Sequence, residues 1–224
     1  MDKVKSFMTD TVLETFRGIF DLMPDSILFG SILLYFLTHN LSYGVFSIFI
    51  FEITLAHKLT SFIYTQTATE KGKEPNMGCR VGYKTARFAA DRIFSKDQRP
   101  SYGVFSISAI GLYLGLAINS FSDTLLAMSE LSGEYGSDWI GRRVVAYTFI
   151  AIVIFCCIIL QILSGCDTKT DIVVAAIFGI ITGIISFFIN KEIFGIESMN
   201  FLGLPYIFSK ESTGSPIYIC AATP

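Results

Sequence analysis

The sequence predicts an all-α protein, a multi-span transmembrane helical bundle preceded by an amphipathic N-terminal helix. Three observations predict this class: only 16% of the 224 residues are charged, the mean hydropathy is +0.56, and three long runs contain no charged residue. Soluble domains average about 25% charged residues. Because an α-helix needs about 20 apolar residues to cross the hydrocarbon core, each charge-free run is long enough for a membrane span.

The three charge-free runs are Tyr102–Phe121, Val144–Leu163 and Ile172–Ile189. Their few polar residues are Ser, Thr, Asn and Gln, which form hydrogen bonds within helix bundles, and they lack the polar stripe of a soluble surface helix. We therefore predict three transmembrane helices within residues 102–189. The polar residues 190–224 are expected to form an extramembrane tail.

Residues 25–57 contain two shorter apolar runs. Ser26–Thr38 has 13 residues, Tyr43–Ala56 has 14, and His39-Asn40-Leu41-Ser42 lies between them. A hairpin of two short helices, starting at Pro24-Asp25-Ser26, is favoured because bilayer thinning and interfacial anchors accommodate short spans. A re-entrant element or a single span is the alternative. The predicted total is four or five spans.

Residues 1–24 have apolar side chains at near-helical spacing with charged residues between them, which predicts an amphipathic helix. This helix either packs on the bundle or lies in the membrane interface. A secretory signal peptide is not expected, because the first long apolar run begins only at residue 26.

The distribution of charge predicts an orientation. The loop 58–101 carries nine basic and four acidic residues, whereas the loop 122–141 has four acidic residues and no basic one. The positive-inside rule makes the first loop cytoplasmic and puts the second on the far side with the tail. If residues 25–57 form a two-span hairpin, the N-terminus lies on the cytoplasmic side with the first loop. If they form a single span, the N-terminus lies on the far side. The net charge of −2 gives no reason to expect specific nucleic-acid binding.

Two motifs with small residues four apart lie inside the predicted spans: Gly111-x-x-x-Gly115 and Gly179-x-x-x-Gly183. Glycine allows two helix backbones to approach closely, so these positions are candidates for helix packing. Packing within one chain is favoured over self-association into a homo-oligomer.

The heptapeptide Ser-Tyr-Gly-Val-Phe-Ser-Ile occurs at Ser42–Ile48 and again at Ser101–Ile107. On the predicted topology the two copies enter the membrane from opposite faces, as in transporters built from inverted repeats. The residues that follow do not align, so a shared way of starting a helix is the favoured interpretation.

Glu52 is the candidate intramembrane polar site, because ionisable residues at membrane depth are costly and commonly functional. Because Glu52 lies close in sequence to Lys58 and the basic loop, pairing with a basic loop residue is the favoured role. Proton or ion handling and partner contact are the alternatives.

A basic stretch, Cys79–Pro100, interleaves cationic and aromatic side chains and is a candidate for contact with anionic lipid or an acidic partner. A solvated cytoplasmic loop would have the same composition. The candidate contact residues are Arg80, Lys84, Arg87, Arg92, Lys96 and Arg99.

The sequence contains no phosphate-binding glycine loop, no His-Glu-x-x-His motif and no Gly-x-Ser-x-Gly motif, so an enzyme is not predicted. No cofactor or metal is expected. The five cysteines lack Cys-x-x-Cys spacing, and most are expected to be reduced and structural.

The segment Ser198-Met199-Asn200-Phe201-Leu202-Gly203-Leu204-Pro205-Tyr206-Ile207, followed by Ile217-Tyr218-Ile219-Cys220, resembles small multi-span membrane proteins of nucleocytoplasmic large DNA viruses. The similarity covers about the last third of the chain and is greatest to the chlorovirus-like group. It implies a virion component in the viral inner membrane, such as a minor capsid protein, with capsid proteins as partners. No functional residue is carried over from it.

We therefore expect a structural integral membrane protein that links a capsid or other protein lattice to a lipid bilayer. A small transporter or channel that uses Glu52 is the alternative.

Overall fold

The computed structural model describes residues 13–67, 99–132, 136–164, 167–201, 208–210 and 216–217. Within them the chain forms a helical bundle, followed by a 3-10 turn at Ile196–Met199 and two short antiparallel strands. The all-α class is confirmed. The bounds are α1 Leu13–Thr38, α2 Leu41–Thr67, α3 Tyr102–Ser132, α4 Gly136–Ser164, α5 Lys169–Phe194, β1 Phe208–Lys210 and β2 Pro216–Ile217.

Four segments of these helices are long and apolar enough to cross a membrane: Leu41–Tyr64, Tyr102–Ser120, Arg143–Ile162 and Lys169–Phe194. The last three overlap the charge-free runs of the sequence. The apolar part of α1, Ser26–Thr38, is shorter than a span. The chain therefore has the composition and helix lengths of a multi-span membrane protein.

The helices α1 and α2 form an antiparallel pair, as the hairpin hypothesis expects. The hydroxyls of Ser31 and Ser47 lie 2.9 Å apart. The connection turns at His39, whose φ of 52° is in the left-handed region. Asn40 then caps α2, because its side-chain oxygen accepts a hydrogen bond from the Ser42 amide at 3.0 Å.

Helix boundaries differ from the expected ones because hydropathy identifies only the apolar part of a helix. α1 passes through Pro24, where a helix start was expected, and α2 continues ten residues past the expected boundary at 57. α3 and α4 include most of the expected loop 122–141. The expected start of the tail at residue 190 also differs from the structure, because α5 continues to Phe194.

The helix α3 lies at the centre of the bundle. Gly179 and Gly183 of α5 face Phe105 and Ala109 of α3 in the same chain order, so α3 and α5 run parallel. α4 runs antiparallel to α3, because Gly111 faces Ile154 whereas the later Gly115 faces the earlier Tyr147.

The helix α2 completes the core and runs antiparallel to α3. Its residue His57 contacts Tyr102 at the start of α3, whereas Phe49 stacks on Tyr113 further along. The two copies of the heptapeptide therefore begin α2 and α3 at opposite ends of the bundle. We call the end near Tyr102 the basic-loop end and the end near Asn40 the tail end.

The outward face of α4 is apolar and exposed, as expected of a helix that faces lipid. Its only cysteines, Cys156 and Cys157, are free thiols. The large exposed side chains of α4 are Val144, Val145, Phe149, Ile152, Phe155, Ile159 and Ile162.

Candidate intramembrane polar site

The helix α2 brings Glu52 to the edge of the bundle core. Its neighbours Phe49 and Ile53 are fully buried, while Glu52 is partly buried between the core and the outer surface. Glu52 lies eleven residues from Leu41 and twelve from Tyr64, so it lies halfway along the candidate span. The carboxyl group is therefore far from both ends of this helix.

Asn190 of α5 is the hydrogen-bond partner of Glu52. Its side chain is almost completely buried, and its Nδ2 donates to Glu52 Oε2 at 3.2 Å. The two residues are 138 positions apart in the sequence, so only the packing of α2 beside α5 brings them together. Among the described residues, Asn190 Oδ1 has no hydrogen-bond partner.

Tyr113 of α3 is the third member of this polar site. Its ring is fully buried and stacks on Phe49, with 3.9 Å between ring centroids and 16° between the planes. Phe187 and Phe201 contact the same ring edge-on. The ring is therefore in contact with α2, with α5 and with the residue Phe201.

The Tyr113 hydroxyl lies within interaction range of the Asn190 side chain and of the Glu52 charge. It nevertheless makes no hydrogen bond of good geometry in the described part of the chain. Buried polar atoms without partners are uncommon because each costs free energy when it is removed from water. Tyr113 Oη and Asn190 Oδ1 are two such atoms in one place.

Glu52 has no basic partner within salt-bridge distance among the described residues. Glu52 does not pair with Lys58, since side chains six residues apart do not share a helix face. The basic residues of the loop between 68 and 98 lie outside the described residues, so pairing with one of them stays a prediction. The nearby Lys191 does not neutralise Glu52 either: its Nζ donates to Ser120 Oγ at 2.7 Å and lies over the Phe187 ring. Glu52, Asn190 and Tyr113 form what we call the Glu52 site.

The Glu52 site presents only oxygen atoms and one amide nitrogen. Its carboxylate is able to accept a proton or to bind a cation through oxygen. In the described residues no three or more His, Cys, Asp or Glu side chains come together in a way that suits a metal ion. A zinc-type site with nitrogen and sulfur ligands is therefore not formed in this part of the chain.

A second group of polar side chains lies at the basic-loop end. Asp171 is buried and completes a capping box at the start of α5, whose N-cap is Thr168. The Asp171 carboxylate accepts hydrogen bonds from the Thr168 hydroxyl at 2.8 Å and from the Thr168 amide. Arg99 Nε lies 3.9 Å from the same carboxylate. His57 Nε2 is 2.7 Å from the Pro100 carbonyl oxygen. These contacts attach the residues before α3 to α2 and to the start of α5.

Gln161 extends this group to α4. Its Nε2 donates to Asp167 Oδ2 at 2.6 Å and lies 3.4 Å from the Ser101 hydroxyl. Sequence reasoning missed Gln161, Asp167 and Asp171 as a group, although Thr168-x-x-Asp171 has the spacing of a capping box. Tertiary contacts bring the remaining members together, and no local pattern reveals them.

The six basic candidates are mostly outside the described residues. Arg80, Lys84, Arg87, Arg92 and Lys96 are among those that the structure does not describe. Arg99 is described, and it faces Asp171 with only 20% of its side chain exposed. Arg99 therefore contacts the start of α5, and its contact with lipid or a partner stays a prediction.

The four glycines of the helix-packing hypothesis all lie between helices of this chain. A Cβ atom at Gly179 would collide with the Phe105 carbonyl oxygen, and one at Gly183 would lie 2.6 Å from the Ala109 carbonyl oxygen. Gly111 faces the Ile154 side chain, and Gly115 accepts a hydrogen bond from the Tyr147 hydroxyl at 3.1 Å. The geometry therefore uses these glycines within one molecule.

Comparisons with protein-family models, with curated proteins and with solved structures find no match to this chain.

Proposed function

We propose that this chain is a structural membrane protein whose helix bundle anchors a protein lattice, such as a viral capsid, to a lipid bilayer. The observation that supports the proposal is that its two extramembrane segments leave from opposite ends of a tightly packed bundle. In this role the protein holds a position and catalyses no reaction, in keeping with a sequence that lacks catalytic motifs.

The basic segment begins and ends at the same end of the bundle. It follows α2 and returns at Arg99, where the contact of His57 with the Pro100 carbonyl and the contact of Arg99 with Asp171 hold it. Lys and Arg near a bilayer surface are attracted to anionic lipid by about 1 kcal/mol each. A segment with nine basic residues is thus suited to hold this end against a membrane surface or an acidic protein.

The tail leaves from the other end. Asn40 Nδ2 donates to the Asn200 carbonyl oxygen at 3.3 Å, and Phe201 packs edge-on against Tyr43 and Phe46. The start of the tail is thereby attached to the α1–α2 connection. The basic segment is thus attached to one end of the bundle and the tail to the other. This arrangement suits a protein that is held in the bilayer and binds a neighbouring protein on one side of it.

The close packing of the helices supports the same proposal, because a protein that anchors a lattice must keep its shape when the lattice pulls on it. Backbone contacts of α3 with Gly179 and Gly183, together with the aromatic cluster around Tyr113, leave little freedom between α3 and α5. Close-packed interiors of this kind resist deformation.

The test compares the full chain with a chain in which residues 202–224 are scrambled. This variant keeps Phe201 and the composition of the tail. We expect equal resistance to alkaline extraction from membranes, since the spans are intact, but loss of incorporation into purified virus particles. Equal incorporation of both chains, or absence of the natural protein from particles, would contradict the proposal.

A second candidate function, a small transporter or channel, is favoured by one observation: the carboxyl of Glu52, halfway along a candidate span, has no basic partner among the described residues. Reconstitution in liposomes, with proton or cation flux as the measurement, distinguishes it from the anchor. A flux that Glu52→Gln abolishes and the exposed Glu192→Gln preserves would decide for transport. Absence of flux from the natural chain would decide against it.

A further inference from the structure

We propose that the Glu52 site binds one small monovalent cation through the oxygen atoms of Glu52, Asn190 and Tyr113. The inference concerns binding alone. It requires neither the anchoring role nor movement of the ion across the membrane.

The first argument is charge. Glu52 is partly buried halfway along an apolar span and has no basic partner within 4.0 Å among the described residues. An isolated carboxylate at membrane depth is strongly unfavourable unless a counter-charge or a proton neutralises it. Lys191, the cation nearest in sequence to Asn190, is engaged by the Ser120 hydroxyl and the Phe187 ring. A bound cation supplies the missing charge.

The second argument is the pair of orphaned oxygen atoms. Tyr113 is fully buried and Asn190 is 1% exposed, yet Tyr113 Oη and Asn190 Oδ1 have no hydrogen-bond partner in the described part of the chain. The Asn190 amide nitrogen already donates to Glu52, so Oδ1 is the polar atom of this side chain that still lacks a partner. A proton on Glu52 would remove the charge without giving both oxygens a partner. A cation interacts favourably with all three groups.

The third argument is the chemistry of the ligands. Carboxylate, amide and phenol oxygens are hard ligands that suit hard cations, whereas transition metals favour nitrogen and sulfur. Calcium commonly takes six to eight oxygen ligands, often from several carboxylates. The Glu52 site has one carboxylate, so a single positive charge matches it. Na⁺ is the appropriate probe.

The decisive experiment measures thermal unfolding of the purified full chain in detergent, in sodium chloride and in choline chloride at equal ionic strength. A ligand that binds only the folded state raises its melting temperature. We expect sodium to raise it by about 4 °C, as expected for a concentration roughly ten times the dissociation constant. Glu52→Gln should abolish the difference between the salts.

Glu192→Gln is the matched control, because it makes the same chemical change at an exposed position of α5. This variant should retain the whole sodium effect. Tyr113→Phe removes one oxygen without changing the packing of the ring, and it should reduce the effect while leaving the fold intact. Direct binding of radioactive sodium to the natural chain provides a measurement that needs no variant.

Equal melting temperatures of the natural chain in the two salts would overturn the proposal, and so would a sodium effect that survives Glu52→Gln. A water molecule or a proton at the Glu52 site gives the first of these results. Neither outcome changes the expected loss of virus incorporation in the scrambled-tail chain, so the two proposals fail separately.

Discussion

The helices α4 and α5 both pack on α3, but they do so in different ways. α5 presents Gly179 and Gly183 to the backbone of α3, where carbonyl oxygens occupy the space that a Cβ would need. α4 instead presents side chains to Gly111 and Gly115 of α3. The same four-residue glycine spacing thus serves a backbone–backbone contact in one interface and a side chain–backbone contact in the other.

The difference shows that a glycine motif predicts a close contact between two helices. It does not predict whether the backbone or a side chain of the second helix makes that contact. A carbonyl oxygen moves only if its helix moves, whereas a side chain can adopt another rotamer. The α3–α5 interface should therefore tolerate no added atom, and the α3–α4 interface should adapt. Burial agrees with this, since 11% of the α4 span is buried against 33% of the α5 span.

Among the substitutions considered, the one at Gly179 is expected to change the free energy of unfolding most. Alanine there would place Cβ against the Phe105 carbonyl oxygen, so α3 and α5 must separate. We expect Gly179→Ala to lower the free energy of unfolding by about 3 kcal/mol, the upper part of the usual range for overpacking. Unfolding with sodium dodecyl sulfate in mixed micelles measures it.

Gly183→Ala should cost less, about 2 kcal/mol, because its Cβ would lie slightly further from a carbonyl oxygen. Gly30→Ala is the control, since no atom lies within 4 Å of the added Cβ. If Gly179→Ala were as stable as Gly30→Ala, the backbone contact between α3 and α5 would not exist.

Sequence reasoning predicts the fold class well because the signal is physical and local. A run without charge that is long enough to cross a bilayer has few alternatives to a spanning helix, and α3 begins at Tyr102, where its run begins. Hydropathy does not find the ends that extend into water. α2 continues to Thr67 and α3 to Ser132 because polar residues also form helix.

The candidate site was only partly predictable. Glu52 is conspicuous because a carboxylate in an apolar run has a known cost. Asn190 fell on the expected boundary between helix and tail, and Tyr113 looks like any aromatic residue in a span. Their proximity depends on α2, α3 and α5 meeting side by side, a tertiary arrangement that composition and periodicity do not encode.

A smaller effect is expected from Tyr147, which joins α4 to α3. Its hydroxyl donates to the Gly115 carbonyl oxygen at 3.1 Å. Tyr147→Phe removes only this hydrogen bond, and interhelical hydrogen bonds in membranes contribute about 0.6 kcal/mol. The same detergent unfolding measures the loss. Tyr35→Phe is the control on the half-exposed face of α1, and an equal loss from both variants would show that the Tyr147 contact contributes nothing.

The smallest effect is expected at Gly111, although a Cβ there would also collide with an atom, Ile154 Cδ1. That atom ends a flexible side chain, so a new rotamer relieves the contact. Alanine also favours the helix over glycine by about 1 kcal/mol. The two terms nearly cancel, and we expect Gly111→Ala to change the free energy of unfolding by less than about 0.5 kcal/mol.

A double-mutant cycle with Ile154→Val sharpens this expectation, because valine lacks the Cδ1 atom that the new Cβ would meet. Gly111→Ala should be stabilising in the valine background, and the measured coupling should have the sign of a relieved clash. No such rescue is available at Gly179, where the opposing atom belongs to the Phe105 backbone. A stabilising Gly111→Ala in the valine background would show that side chains adapt in the α3–α4 interface. If Gly111→Ala and Ile154→Val show no coupling, the proposed difference between the α3–α4 and α3–α5 interfaces is refuted.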